Sequence, residues 1–478
     1  MRFLDHLIRH HTIRNLIIWL SLALLTSCAD LSGITPSSEP LDPAKLAAGQ
    51  NLANAGRVQW PDQNWWTACH DPQLNRLVDQ AVANSPQLQT ARVRIALAQA
   101  IAQSNASTTG PQASLDGSAN RDRFTALQFI PAPWAGSTYW NNSVAASLSW
   151  NLDLWGRQKD NWLASLDEAS AAAAETEEIR IQLENAIVRS YLRLALAYDH
   201  RDIAQARLED LKEKLAIEKQ GERAGLGTQL SISDAEDPLP AAQASLIAAE
   251  ENIAHLKNEL AALSGAGPGS MDNLTRPEPV LSSPVGLPDR LPAHLLGRRP
   301  DISAARWWVE ASAKRIHAAR TAFYPDINLS ALAGFQAIGF TQWLTQAALM
   351  TAAGPAISLP LFDSGKRRAD LSAATASYDI AVSQYNQTLV MALRDVSDQL
   401  VAYQSAAKQE IQAEAGLQIA RDKVDMASDA YRAGLADYRV VLAAQENMLT
   451  AKDTLDAYRA HRMDIWARLM LALGGGNP

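Results

Sequence analysis

The sequence predicts an α+β fold, a membrane β-barrel to which each chain gives four strands, carried on a coiled-coil barrel of long helices and written as an internal duplication. Three observations predict it. The first is a repeat. Gly156 and Gly365 each open a long alanine-rich helical pattern, 209 residues apart. Arg223-Ala224-Gly225-Leu226 recurs as Arg432-Ala433-Gly434-Leu435, and Gly265-Ala266-Gly267 as Gly474-Gly475-Gly476, at the same offset. A repeat this long implies two similar halves. The second is strict alternation of apolar and polar residues in four short segments. The third is helix length: the 64 residues from Arg157 to Gln220 contain no proline or glycine and would span about 96 Å.

The elements follow in chain order. Residues 1–27 read as a signal peptide, with Arg2, Arg9 and Arg14 before an apolar run from Leu16 to Leu25 that is too short for a membrane span. Leu25-Thr26-Ser27-Cys28 resembles a bacterial lipobox, which implies lipidation of Cys28. Ala29 follows, not the aspartate that would signal inner-membrane retention in enteric bacteria, so the resemblance implies the outer membrane. A single acyl chain binds membranes only marginally and works beside a second anchor. Residues 28–70 form a tether whose first part is rich in Ser, Pro, Ala and Gly.

The first repeat covers 71–267. It opens with a helix over 71–107 that starts at Asp71-Pro72 and restarts at Pro86. A β-hairpin follows over about 111–155. Val144, Ala146, Leu148, Trp150, Leu152 and Leu154 share one parity, and Ser143, Ser147, Ser149, Asn151 and Asp153 the other. Long helices over 157–264 complete it. Residues 268–292, with prolines at 268, 277, 279, 284 and 288, form a linker. The second repeat covers 293–476, with a helix over 293–320, a hairpin over about 325–363 and helices over 366–473. Its hairpin alternates Ile327, Leu329 and Ala331 against Asp326, Asn328 and Ser330.

Alternation over about ten residues marks a transmembrane strand, apolar to lipid and polar to a lumen. Phe124, Phe129, Trp134, Tyr139 and Trp140 in one hairpin, with Phe340 and Trp343 in the other, suit a membrane interface. Four strands cannot close a barrel, and an open edge cannot face lipid, so the chain must assemble with copies of itself. An open pore favours three or more. In the second long helix Tyr378, Val382, Tyr385, Leu389, Ala392 and Val396 form a heptad seam. Each long helix ends at a glycine turn, Gly221-Gly225-Gly227 or Gly434, and returns. Asp237-Pro238-Leu239-Pro240 has Asn447 opposite Pro238, which predicts a kink or helix break near Pro238, after the first turn only.

The chain carries a net charge of −8, which disfavours nucleic acid as a partner. Cys69 would be a lone buried thiol, and Cys69-His70 lacks companions for a metal. No catalytic constellation, cofactor motif or metal spacing occurs, so no enzyme is expected.

The stretch Arg298-Arg299-Pro300-Asp301-Ile302 through Phe323-Tyr324-Pro325 resembles the signature of the TolC-type outer membrane factor family. Asp153-Leu154-Trp155-Gly156-Arg157, Leu361-Phe362-Asp363-Ser364-Gly365 and Asp71-Pro72-Gln73-Leu74 resemble its two strand-to-helix junctions and the opening of its first helix. The resemblance runs from about Trp65 to Gly476 and, with the lipobox, points to the lipoprotein branch. It implies a homotrimer in the outer membrane that extends into the periplasm and serves as the exit duct of a tripartite efflux system. An inner-membrane pump would drive it through a periplasmic adaptor. Gly225, Leu226, Gly434 and Leu435 would form the tips that meet the adaptor, and Tyr431, Arg432 and Asp437 would serve the gate. From the residues alone, Asp437 also reads as a helix cap. A ring of such carboxylates would attract cations and resist closure unless Arg432 or Arg439 paired with them. Arg306-Trp307-Trp308 replaces the Ala-Glu of many members; the aromatics are expected between helices and resemble a sub-branch paired with drug or aromatic-acid exporters. The alternatives are a duct for protein secretion and a periplasmic coiled-coil adaptor, though an adaptor has no use for four alternating strands.

Overall fold

A computed structural model describes residues 32–46, 60–127, 129–280 and 297–476. The signal segment, Cys28 and linker residues 281–292 lie outside the described residues. The first half contains α1 (Pro72–Asn84), α2 (Pro86–Ser107), β1 (Gln112–Arg123), β2 (Thr138–Asn151), α3 (Arg157–Arg223), α4 (Gln229–Glu236) and α5 (Pro238–Leu263). The second contains α6 (Pro300–Thr321), β3 (Asp326–Ile338), β4 (Leu349–Ser358), α7 (Lys366–Arg432) and α8 (Tyr438–Ala472). Both α3 and α7 run 67 residues, and Gly221 and Gly416 lie inside them without a break. The chain divides into two compact units, each built from both halves of the sequence.

The first unit holds the strands. They form one antiparallel sheet in the order β1-β2-β3-β4. The register aligns the parities across all four strands. Leu115 faces Ala146, Leu148 faces Ala331, Trp150 faces Leu329, and Ile327 faces Ile357, so one face is apolar. The other face is laced by small polar pairs: Ser114 with Ser147 at 2.8 Å, Ser118 with Ser143 at 2.9 Å, and Asn151 donating to Asp326 at 2.6 Å. Such cross-strand pairs set the register, because a one-residue slip would exchange the faces. Gly334 lies where the backbones approach closely; a Cβ there would sit 2.3 Å from the Val144 carbonyl oxygen.

The strand-to-helix junctions are fixed by two aspartates. The Asp153 carboxylate accepts the backbone N–H groups of Gln158 and Lys159, both at 2.9 Å, satisfying donors that open α3. Asp363 does the same for α7 through Gly365 (3.1 Å) and Arg367 (3.2 Å), and the Arg367 side chain pairs with it at 2.5 Å. These contacts hold the Asp363 carboxyl below its ordinary range, the Arg367 side chain first among the causes. Trp155 stacks on Tyr324 at 4.9 Å. Nearby, Lys314 and Arg315 of α6 pair with Asp167 and Glu168 of α3. Trp307 is half-buried under Arg306, and Trp308 is 40 % exposed in the single chain.

The second unit holds the main core. Trp65, Trp66, Leu74, Leu77, Val78, Ile187, Tyr191, Leu260 and Trp466 bury together. Asp71 caps α1 by accepting from Gln73 N–H at 2.8 Å, and its other oxygen accepts the Tyr191 hydroxyl at 2.6 Å. The duplication reappears here as packing. A Cβ on Gly265 would lie 2.5 Å from the Asn84 carbonyl oxygen, just before Pro86. A Cβ on Gly474 would lie 2.3 Å from the Arg298 carbonyl oxygen, just before Pro300. In each half a left-handed glycine ends the last helix against the helix start of that half. The seam residues Leu389, Ala392 and Val396 are fully buried. The helix after the first turn is interrupted at Asp237, whose backbone stays in the right-handed helical region (φ −52°, ψ −46°), and α8 runs unbroken through Asn447, as the proline placement predicts. The linker is docked where it is described: Arg276 pairs with Asp199 and Asp202, and Val280 N–H reaches the Cys69 carbonyl at 3.0 Å. Cys69 is buried, and its thiol is pushed up to about 12, by burial first and then by Asp71.

Candidate functional site: the helical hairpin tips

The turns at Gly225 and Gly434 share one geometry. At the first, Gly225 (φ 73°) donates to the Glu222 carbonyl at 2.9 Å and Leu226 to Gly221 at 2.8 Å. At the second, Gly434 (φ 71°) donates to Tyr431 at 2.9 Å and Leu435 to Ala430 at 2.8 Å. This is the Schellman arrangement, which satisfies the last carbonyls of a helix and needs a residue that tolerates positive φ. It leaves Leu226 and Leu435 87 % and 83 % exposed.

The return helices start differently. Thr228 and Ser231 form a reciprocal capping box for α4, with 3.2 Å bonds. Asp437 caps α8 by accepting the Arg439 N–H at 2.8 Å. The charges also pair in a way that local sequence does not show. Arg439 grips Glu218 of α3 with two bonds, Nε–Oε1 at 2.6 Å and Nη2–Oε2 at 2.9 Å, and Glu218 is buried. Its approach to Asp437 is only 3.9 Å, and Arg432 pairs with Asp429 at 2.6 Å. The arginines therefore pair chiefly with Glu218 and Asp429, and Asp437 has Arg439 only at 3.9 Å. Lys219 pairs with Glu236 at 2.9 Å, joining α3 to α4.

Tyr431 packs edge-on against Tyr438 across the second turn, with ring centroids 5.0 Å apart. Burial and a hydrogen bond to Glu213 raise the Tyr438 hydroxyl above its ordinary value. Asp210, one turn from Glu213 on α3, is raised by burial and by Glu213, Glu446 and Glu209. The structure thus brings Tyr431 to Tyr438 and α8 to α3, and each tip presents one leucine outward. Glu218 and Tyr438 were not foreseen. Tyr438 stands seven residues after Tyr431, a spacing that could have indicated contact across a tight turn. Nothing in the sequence marks Glu218, 221 residues before Arg439.

A four-stranded sheet with one apolar and one hydroxylated face, feeding capped helical hairpins, defines a membrane channel subunit. The profile of the outer membrane efflux protein family matches residues 77–266 and 291–475. The chain belongs to that family. It is 38 % identical to the fusaric acid resistance protein FusA of Burkholderia cepacia over 357 residues, 74 % of this chain and 67 % of that one. It is 30 % identical to the multidrug resistance outer membrane protein MdtQ of Escherichia coli O157:H7 over 471 residues, 95 % of this chain and 96 % of that one. Among solved structures it resembles the outer membrane protein VceC of Vibrio cholerae, with a TM-score of 0.80 and 32 % identity over 87 % of this chain and all of that one. The chain is thus an outer-membrane efflux channel. Its fold class is the expected one: α+β, with a membrane β-barrel completed by trimerisation and a helical barrel.

Proposed function

We propose that this channel is the passive exit duct of a tripartite efflux system, carrying small toxic compounds or drugs and using no cofactor. Three copies supply the strands, and the tips at Gly225, Leu226, Gly434 and Leu435 reach the periplasm to meet an adaptor hairpin. An inner-membrane pump supplies the energy through that adaptor. Tyr431, Arg432 and Asp437 lie at the gate. The observation that carries this reading is the sheet: two unpaired edge strands, β1 and β4, and two faces of opposite character. Unpaired edges are excluded from lipid unless other copies cover them. The exposed tip leucines support an apolar contact with a partner. The names of FusA and MdtQ, which speak of fusaric acid resistance and multidrug resistance, support small-molecule export.

A lipid on Cys28 is the second anchor. Its support is the course of the segment after it. The Ser32 carbonyl accepts from Arg368, ten residues past the last strand, and Ser37 and Ser38 N–H groups bond Asp379 at 3.0 and 2.9 Å. The described segment after Cys28 thus begins beside the helix that follows β4. Native mass in detergent and planar-bilayer conductance test the duct: a trimer with stable conductance is expected, and a non-conducting monomer would defeat the reading. A deletion strain tested against a toxicant panel should become sensitive, and export of folded proteins without such sensitivity would favour secretion instead. Cys28→Ser should remove the acyl mass from the mature chain.

A further inference from the structure

The barrel segment is sparing with charge, and the charge it has is sorted by sign. The external loops, residues 124–137 and 339–348, contain no Asp, Glu, Lys or Arg. The four strands contain five charged residues: Asp116, Arg121, Asp122, Arg123 and Asp326. The register places them. Asp116 faces Ala145, which faces Gly334, and Asp326 shares that parity on β3. Asp122, six residues from Asp116, is on the same face, opposite Tyr139. This is the face of the serine and asparagine pairs, hence the lumen side. Arg121 and Arg123 have the opposite parity, with Arg121 facing Trp140 on the lipid side. All three carboxylates point inward and both guanidinium groups outward.

Among the described residues, the inward carboxylates accept from neutral donors. Asp116 accepts from the Ser114 hydroxyl at 2.8 Å, Asp122 from the Asn141 amide at 3.2 Å and Asp326 from the Asn151 amide at 2.6 Å. At the tips several carboxylates sit beside cations, although Asp210 of α3 lies among Glu209, Glu213 and Glu446. Glu218 is held by Arg439, Asp429 by Arg432 and Glu236 by Lys219, and Asp437 lies 3.9 Å from Arg439. Fixed charge that is paired with an opposite charge gives little net field, whereas unpaired carboxylates within low-dielectric walls focus one.

We infer that the barrel lumen, through Asp116 with Asp122 and Asp326, sets the charge preference of this duct, favouring cationic and disfavouring anionic solutes, and that the tip carboxylate Asp437 does not. Asp116 is the specificity-determining residue of the set. It is far enough along β1 to lie inside the barrel and not at its mouth, and no strand residue supplies a lumen-side cation to offset it. Rings of carboxylates act on permeation in this way by raising the local cation concentration. This inference rests on the channel reading.

The test is the reversal potential of the full-length protein in planar bilayers under a KCl gradient, with trimer formation checked by native mass. Wild type should prefer K⁺ near 0.1 M salt, where the screening length is about 10 Å, and lose most of that preference near 1 M, where it is about 3 Å. Asp116→Asn keeps the Ser114 bond and should lower the cation-to-anion permeability ratio about twofold at low salt. Asp116→Lys should move the ratio further, towards anions, and Asp437→Asn should change it less than Asp116→Asn does. A conducting trimer whose ratio ignores both Asp116 variants, or follows Asp437→Asn instead, overturns the inference while leaving the channel intact. A trimer that does not conduct at all overturns the channel reading itself.

Discussion

Replacing Gly474 with alanine tests whether the duplicated glycine contacts hold the second unit together. Gly474 sits at φ +94°, and a Cβ there would lie 2.3 Å from the Arg298 carbonyl oxygen and 2.9 Å from its carbon. Both obstacles are backbone, so no side chain can rotate away. The left-handed conformation alone costs an L-residue about 1–2 kcal/mol. Forcing an extra carbon into a packed contact adds about 1–3 kcal/mol. Gly474→Ala should therefore cost about 2–5 kcal/mol. Gly434 is the control: its φ is also positive, at +71°, but a Cβ would meet nothing within 4 Å. Gly434→Ala should cost only the backbone part, about 1–2 kcal/mol. Gly265→Ala, with the Asn84 carbonyl oxygen 2.5 Å away, should behave like Gly474→Ala. The assay is tryptophan fluorescence of detergent-solubilised protein heated at one fixed scan rate, since such assemblies unfold irreversibly and only matched scans compare. Trp65, Trp66 and Trp466 lie in this core and report on it. Gly474→Ala and Gly265→Ala should lower the midpoint roughly twice as far as Gly434→Ala. Equal shifts for all three would refute the reasoning, because backbone strain would then be the whole effect.

Three further outcomes follow from other contacts. Arg439→Ala strands the buried Glu218 carboxylate and should weaken the α3–α8 contact at the tip by about 1–3 kcal/mol, a value kept low because Arg439 is itself half-exposed. Limited proteolysis should then cut the tip faster, and Arg439→Lys should restore part of the protection. Glu184 is buried beside Arg180, and burial, partly countered by that arginine, raises its carboxyl from 4.5 to about 7. Between those values the folded chain holds a proton that the unfolded chain has lost, so stability from this group falls as pH rises from about 4.5 to about 7 and is level above. Glu184→Gln should flatten that fall in midpoints measured across the same window, and an identical pH profile in both proteins would remove Glu184 as its source. Gly334→Ala should reduce assembled trimer recovered from membranes, because its Cβ would press on the Val144 carbonyl oxygen at 2.3 Å and part β2 from β3.

What the sequence determined by itself is the local and the periodic. Strand parity follows from a period of two, and the α7 seam from steps of three and four. The Asp71 cap, the break at Pro86 and the break at Asp237 follow from which residues can accept or supply a backbone hydrogen bond. The repeat could be read because equal spacings need no knowledge of contacts. Even the need for further copies followed from counting strands against the impossibility of a bare edge in lipid.

Tertiary structure alone decided the rest. The Arg439–Glu218 pair joins residues 221 apart, and the preference of Arg439 for Glu218 over its close neighbour Asp437 depends on how α8 lies on α3. The linker reads as a loose proline-rich stretch, yet Arg276 is fixed by Asp199 and Asp202 and lies over the Tyr198 ring. Gly265 and Gly474 were visible as repeats, but their purpose was not, since nothing local reveals a carbonyl oxygen 2.5 or 2.3 Å away. The same holds for the sorting of barrel charge, which needs the register of four strands to place Asp326 on one face with Asp116. The physical reason is common to all of them. Hydrogen-bond capacity and hydrophobic period act over a few residues and leave a mark in the sequence. Charge pairing and close packing act between chain segments hundreds of residues apart, and which groups meet is settled only when the helices and strands have docked.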